Sequence, residues 1–83
     1  MQPSMKMIQQ MQNRMAKIQQ ELEETEVEGT AGGGVVKATA NGQRALMSIK
    51  IDPSAVDPDD VEMLEDLVLT AVQDALEKSA AMA

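Results

Sequence analysis

The sequence predicts a single two-layer α+β domain over residues 1–83, with a long N-terminal helix, an antiparallel hairpin or three-stranded sheet, and a C-terminal helix, completed as a dimer. Three observations predict it. Apolar residues recur by threes and fours through the first quarter of the chain, an Asn-Gly pair sits between two alternating runs, and an Asp-Pro step precedes a broad apolar stripe. Dimerisation is expected on different grounds. A chain of 83 residues buries only about 60% of the surface its unfolded form exposes, and this one has no Cys, His, Phe, Tyr or Trp with which to reinforce a thin core.

The first element spans about residues 4–24, a stretch without Gly or Pro. Met1, Ile8, Met11, Met15, Ile18 and Leu22 fall on one seam, with Ser4 and Thr25 filling its polar slots, which gives a coiled-coil-like helix over about three heptads. Pro3 or Ser4 starts it, because Pro is tolerated in a first turn and Ser caps one. Ile8, Met11, Met15, Ile18 and Leu22 are therefore the candidate dimer or core seam, while Met5 and Met7 lie off it as adaptable spare contacts.

The middle third changes period, with strands expected at about residues 26–31, 34–40 and 43–51. Asn41-Gly42 predicts a two-residue type I′ turn, since both central residues need positive φ. That turn would set Val36 opposite Met47 and Lys37 opposite Leu46, and would place Lys37, Arg44 and Lys50 together on the outer face. The run from Gly29 to Gly34 reads as a turn between strands; a phosphate loop would need Lys at position 35, where Val35 stands. The last helix is expected at about residues 58–79, with Asp57 as N-cap and Pro58 in the first turn. Val61, Leu64, Leu67, Val68, Ala71, Val72, Ala75 and Leu76 form its apolar stripe, and Ala80 to Ala83 are expected to fray.

Composition excludes much chemistry. Without Cys or His there is no thiolate nucleophile, imidazole base or ordinary zinc site, so no catalytic residue, metal ligand or cofactor is assigned and the chain is read as no enzyme. Neighbouring carboxylates such as Asp59 and Asp60, or Glu65 and Asp66, diverge on a helix and read as a solvated face. The absence of aromatic side chains removes the stacking platforms used for single-stranded nucleic acid and leaves duplex binding through phosphates open. No apolar run suits a signal peptide or a membrane span, so a soluble cytosolic protein is expected.

Charge is sorted along the chain, which carries 7 basic and 14 acidic residues for a net −7. Residues 1–20 hold Lys6, Arg14 and Lys17 without a carboxylate, and residues 29–51 hold Lys37, Arg44 and Lys50 without one, whereas the segments between and after them are acidic. These six are the candidate anion-contacting residues, with ordinary solubilising charge as the alternative reading.

The stretch from Met5 to Met15 (MKMIQQMQNRM), the hairpin from Gly32 to Gly42 (GGGVVKATANG), the junction Ile51-Asp52-Pro53 and the run Glu62 to Leu67 (EMLEDL) together resemble the YbaB/EbfC family of bacterial nucleoid-associated proteins. The resemblance covers nearly the whole chain. It implies a homodimer of α/β chains with protruding helices that binds double-stranded DNA in the cytoplasmic nucleoid, without catalysis or cofactor, with other nucleoid proteins as additional partners. On that reading Lys6, Arg14 and Lys17 are the first candidates for phosphate contact, and Lys37, Arg44 and Lys50 the second. The rival is a dimeric protein–protein interaction module with incidental DNA affinity.

Overall fold

The computed structural model describes residues 4–82. Met1 and Pro3, placed above at the start of the first helix, and Ala83, in the expected frayed end, lie outside the described residues. The elements follow the expected order: helix α1 (Met5–Glu24), strands β1 (Glu26–Ala31), β2 (Val36–Asn41) and β3 (Leu46–Ile51), a short 3-10 turn (Pro53–Ala55), and helix α2 (Val61–Met82).

Helix α1 is capped at both ends by side chains. The Ser4 hydroxyl accepts the Met7 N–H, and at the other end the Thr25 N–H and hydroxyl both donate to the Glu21 carbonyl, relieving donors and acceptors that a helix terminus leaves over. None of its 20 residues is buried. The helix therefore extends from the body as an arm: the molecule is 68 Å along its longest axis, and its radius of gyration is 18.7 Å against about 12 Å for a compact chain of this length.

The sheet has the order β1-β2-β3, both pairs antiparallel. Helix α2 lies across β1 and β2 and scarcely reaches β3. It approaches closely because small residues meet there: a Cβ on Gly29 of β1 would overlap Ala75 N and Ala71 O on α2. The core that results is made of Ala31, Val36, Ala38, Ala40, Ala55, Ala71 and Ala75, with Val27, Val35, Leu64, Leu67, Val68, Val72 and Leu76 packed around it. Val36 is the largest apolar side chain fully withdrawn from water among the described residues. So thin a core supplies little of the burial on which folding depends.

The hairpins differ from expectation at one end. Between β1 and β2, Gly32, Gly33 and Gly34 adopt φ of 61°, 75° and 99°, the left-handed region that Gly enters without steric cost, as a turn there requires. Between β2 and β3 the two-residue type I′ loop does not form. The loop is residues 42–44, closed by Arg44 N–H to Asn41 O (3.2 Å) and Asn41 N–H to Ala45 O (2.9 Å), and the residue with positive φ is Arg44 at 64°. The Asn41 side chain holds this turn by accepting the N–H groups of Gln43 and Ala45. Gly42 is required for closeness instead, since a Cβ there would lie 2.8–2.9 Å from Leu22 side-chain and backbone atoms.

The longer loop resets the register. Val36 pairs with Ile51, Lys37 with Lys50 and Ala38 with Ile49, and a bulge lets Ala40 face Leu46, so neither Val36–Met47 nor Lys37–Leu46 is formed. The strands are accordingly shorter than the 34–40 and 43–51 expected.

Helix α2 also begins later than expected. Asp57 opens a turn, accepting Asp59 N–H with its side chain and Asp60 N–H with its carbonyl, and Pro58 sits at the second turn position that its fixed φ favours. Asp60 is the cap in place of Asp57, accepting Met63 N–H at 3.2 Å.

Candidate nucleic-acid interface

The arm presents its charge on one side. At 100° per residue Lys6, Arg14 and Lys17 fall within roughly 80° of one another, with the amide side chains of Gln10 and Asn13 among or beside them. All five are exposed. Among the described residues the salt bridge formed is Lys78–Asp74, so none of the three arm cations is neutralised within the chain. Their nearest acidic residues in sequence begin at Glu21, about one turn beyond Lys17. The result is a polar, cationic helical face of roughly 16 Å from Lys6 to Lys17 that a run of phosphates can approach.

The seam lies on the other side of the same helix. Ile8, Met11, Met15 and Ile18 are all exposed, and only Leu22 is packed, against Gly42. Met5 and Met7 are exposed as well. In the single chain the seam thus has no covering partner.

The arm's attachment is concentrated in the β2–β3 turn. Gly42 N–H donates to the Leu22 and Thr25 carbonyls, and Gln43 Nε2 donates to the Gln19 carbonyl at 3.1 Å. The turn is gripped in its own right from α2: the Ser79 hydroxyl, fully buried, donates to Asn41 O and accepts Arg44 N–H at 3.0 Å. That bond offsets the steric cost of Arg44's left-handed conformation. The direction of α1 is therefore set by residues 41–44 and, behind them, by Ser79. Ser79 carried no signal in the sequence, because one hydroxyl at the end of an amphipathic helix looks like surface.

The second cationic set is only partly assembled. Lys37 and Lys50 stand directly opposite each other on β2 and β3, both exposed, beside Gly34, Val35, Ile51 and Asp52. Like charges in that relation repel, so this patch favours an anion. Arg44 is not with them. The three-residue loop carries it to the α2 side, where it lines a shallow cleft with Gln73, Leu76, Glu77 and Ala80.

Among the described residues no group of three or more His, Cys, Asp or Glu could hold a metal, and no helix is long and apolar enough to cross a membrane. Two carboxylates are perturbed, both structural. The Asp74 carboxyl is held below its ordinary range by the Thr30 N–H it accepts and by Lys78, and Asp52 is lowered by hydrogen bonds from Ser54.

A bare cationic arm fixed to a small helix-on-sheet body suits a binding protein of the nucleic-acid type. The whole chain, residues 1–83, matches the model of the YbaB/EbfC DNA-binding family. Relatives named nucleoid-associated proteins include one from Moorella thermoacetica, 61% identical over 69 residues covering 83% of this chain and 66% of the relative. Another, from Chloroflexus aurantiacus, is 56% identical over 79 residues covering 95% of this chain and 79% of the relative. A crystal structure of an uncharacterized protein from Helicobacter pylori superposes with a TM-score of 0.71 at 22% identity, covering 89% of this chain and 86% of that one, and so shares the fold. The chain belongs to the YbaB/EbfC DNA-binding family. It spans about two thirds to four fifths of the length of these two nucleoid-associated relatives.

Proposed function

We propose that this protein is a non-enzymatic nucleoid-associated protein of the cytoplasm that binds double-stranded DNA as a homodimer, chiefly through phosphates and with weak sequence preference. The observation that carries this reading is the bare cationic face of α1, on which Lys6, Arg14 and Lys17 converge without an internal counter-charge. Acidity of the whole chain, net −7, does not oppose it strongly. Exposed charges are screened beyond about 8 Å at physiological salt, so the residues beside a phosphate outweigh distant carboxylates. Two arms offer about six phosphate contacts, which sets a log–log salt slope near −5. The exposed seam on the same helix favours a second reading, in which α1 docks other proteins.

A gel-shift titration of duplex DNA across a salt series separates the two. Wild type is expected to bind with the slope above, and a variant combining Lys6→Glu, Arg14→Glu and Lys17→Glu to lose nearly all of that binding while keeping its oligomeric state. Equal affinity and slope for a folded triple variant would exclude the arm as the contact. No binding by wild type at low salt would favour the protein-docking reading.

A further inference from the structure

Helix α2 packs on one face of the sheet and leaves the other bare. Up to the bulge at Thr39 and Ala40, alternation places Glu28, Thr30, Lys37, Thr39, Ser48 and Lys50 on that bare face, while Gly29, Val36 and Ala38 turn inward. All six outward residues are polar. The pairings set them in two rows: Thr30, Lys37 and Lys50 stand side by side across the three strands, and Glu28, Thr39 and Ser48 form the next row. With strands about 4.8 Å apart, the first row is roughly 10 Å wide.

Side-by-side lysines on neighbouring strands disfavour the fold unless an anion lies over them. Among the described residues neither amine is in a salt bridge, and the carboxylate nearest in sequence, Asp52, is engaged by the Ser54 N–H at 2.9 Å. With Gly34, Val35 and Ile51, Asp52 borders a hollow of about 250 Å³ beside the pair. That is smaller than the roughly 300–1,000 Å³ of a small-molecule site, and the chain has no aromatic ring on which a base could stack. The chemistry suits a phosphate group on the outside of a larger polyanion. No apolar side chain interrupts the two rows to anchor a protein or enter a membrane.

This face is set apart from the arm. Helices α1 and α2 are about 30 and 33 Å long, which together nearly fill the 68 Å long axis, so arm and body lie end to end. The arm is rooted at the 42–44 turn. Lys37 is about 13 Å back along β2 from Asn41, and Lys17 is about 12 Å out along α1 from Thr25, which puts roughly 25 Å between them measured through the root. Around that root stand Glu21, Glu23, Glu24, Glu26 and Glu28, all exposed. Screening confines each charge to about 8 Å at physiological salt, so a phosphate backbone run from the arm to the sheet would meet this acidic belt with no cation close enough to offset it.

We infer that the bare sheet face, centred on Lys37 and Lys50 with Thr30, Thr39 and Ser48 beside them, is a second phosphate-binding surface that takes a DNA segment separate from the one on the arm. The inference rests on the duplex-binding reading above and extends it: one molecule holds two stretches of duplex at once. Amines and hydroxyls supply the contacts, which makes this surface indifferent to sequence. Arg44, carried to the α2 side by its turn, takes no part.

Reductive methylation of amines, read peptide by peptide with mass spectrometry, reports both surfaces in the wild-type protein. With a short duplex in excess at low salt, Lys6 and Lys17 on the arm and Lys37 and Lys50 on the sheet should each react about fivefold or more slowly than without DNA, while Lys78 is unchanged. Protection confined to the arm overturns the inference. Protection confined to the sheet sinks the arm assignment and leaves the inference standing, and protection of neither sinks both. Separateness is tested by tethering one duplex to beads and measuring recruitment of a labelled second duplex through the bound protein. Combining Lys37→Gln with Lys50→Gln removes a repelling pair from exposed positions, so the fold is spared. This variant should bind the tethered duplex within about twofold of wild type and recruit the labelled one about tenfold less. Equal recruitment by variant and wild type overturns the inference, as does an equal loss of both steps or a wild type that binds the tethered duplex and recruits nothing.

Discussion

Replacing Gly29 by Ala tests the packing on which the body of the molecule depends. In a strand interior this change should help slightly, since Ala loses less backbone freedom than Gly, by roughly 0.5–1 kcal/mol. Here the new methyl would occupy space already held by Ala75 N and Ala71 O, which are helix backbone and cannot rotate aside. Helix α2 must lift, and lifting it also disturbs the Thr30–Asp74 and Lys78–Glu28 bonds that the same helix makes to β1. Overpacking of this kind costs about 1–3 kcal/mol where side chains can adjust, so a backbone clash places the loss at about 3 kcal/mol or more. The whole domain has about 4–12 kcal/mol to lose. Gly33→Ala supplies the control: nothing lies within 4 Å of its Cβ, and only its φ of 75° is strained, at about 1–2 kcal/mol. Urea denaturation followed by circular dichroism at matched protein concentration should rank wild type above Gly33→Ala and Gly33→Ala well above Gly29→Ala. A Gly29→Ala protein within about 1 kcal/mol of wild type would refute the close-approach argument.

Other perturbations read separate links. Gly42→Ala forces the β2–β3 turn away from Leu22 and so re-aims α1; duplex affinity in gel shifts should fall while far-ultraviolet dichroism of the body is retained. Ser79→Ala removes the buried hydroxyl that bonds Asn41 O and Arg44 N, and should cost about 1–3 kcal/mol in denaturant titration. Lys17→Gln should weaken binding evenly across duplex sequences and, by removing one contact from each of two arms, shallow the salt slope by about two. The lowered Asp74 carboxyl contributes stability that is present above its unfolded value, near pH 4, and is lost as pH falls through the lower folded value. Thermal melts of wild type and Asp74→Asn should therefore differ at neutral pH and converge in acid.

What could be read in advance was whatever local chemistry decides. Helix α1 was legible because a Gly- and Pro-free stretch begins at Ser4, and the inward positions of β2 because alternation places Val36, Ala38 and Ala40 together. The Asn41-Gly42 pair correctly marked a reversal and misled about its form. Its Gly answers a contact with Leu22, and the positive φ fell to Arg44 because Ser79, 35 residues away, holds that amide. In Asp57-Pro-Asp-Asp both the first and last Asp can cap, and only the structure chooses Asp60. On the arm, the sequence named Lys6, Arg14 and Lys17, and helical geometry gathered them on one side. The turn register separated Arg44 from Lys37 and Lys50, a non-local outcome that alternation alone does not contain.

The ion pair of Asp74 and Lys78 over β1 has a consequence for how far association can proceed. A sheet with two adhesive sides can add subunits without end, and an acidic protein that carries cations on its arm would then build filaments along a duplex. With one side sealed by its own helix, each copy has a single adhesive side to give, and a two-fold contact uses both at once. A two-fold contact through that open side would end assembly on this sheet at two subunits, leaving any larger structure on DNA to be organised by the duplex.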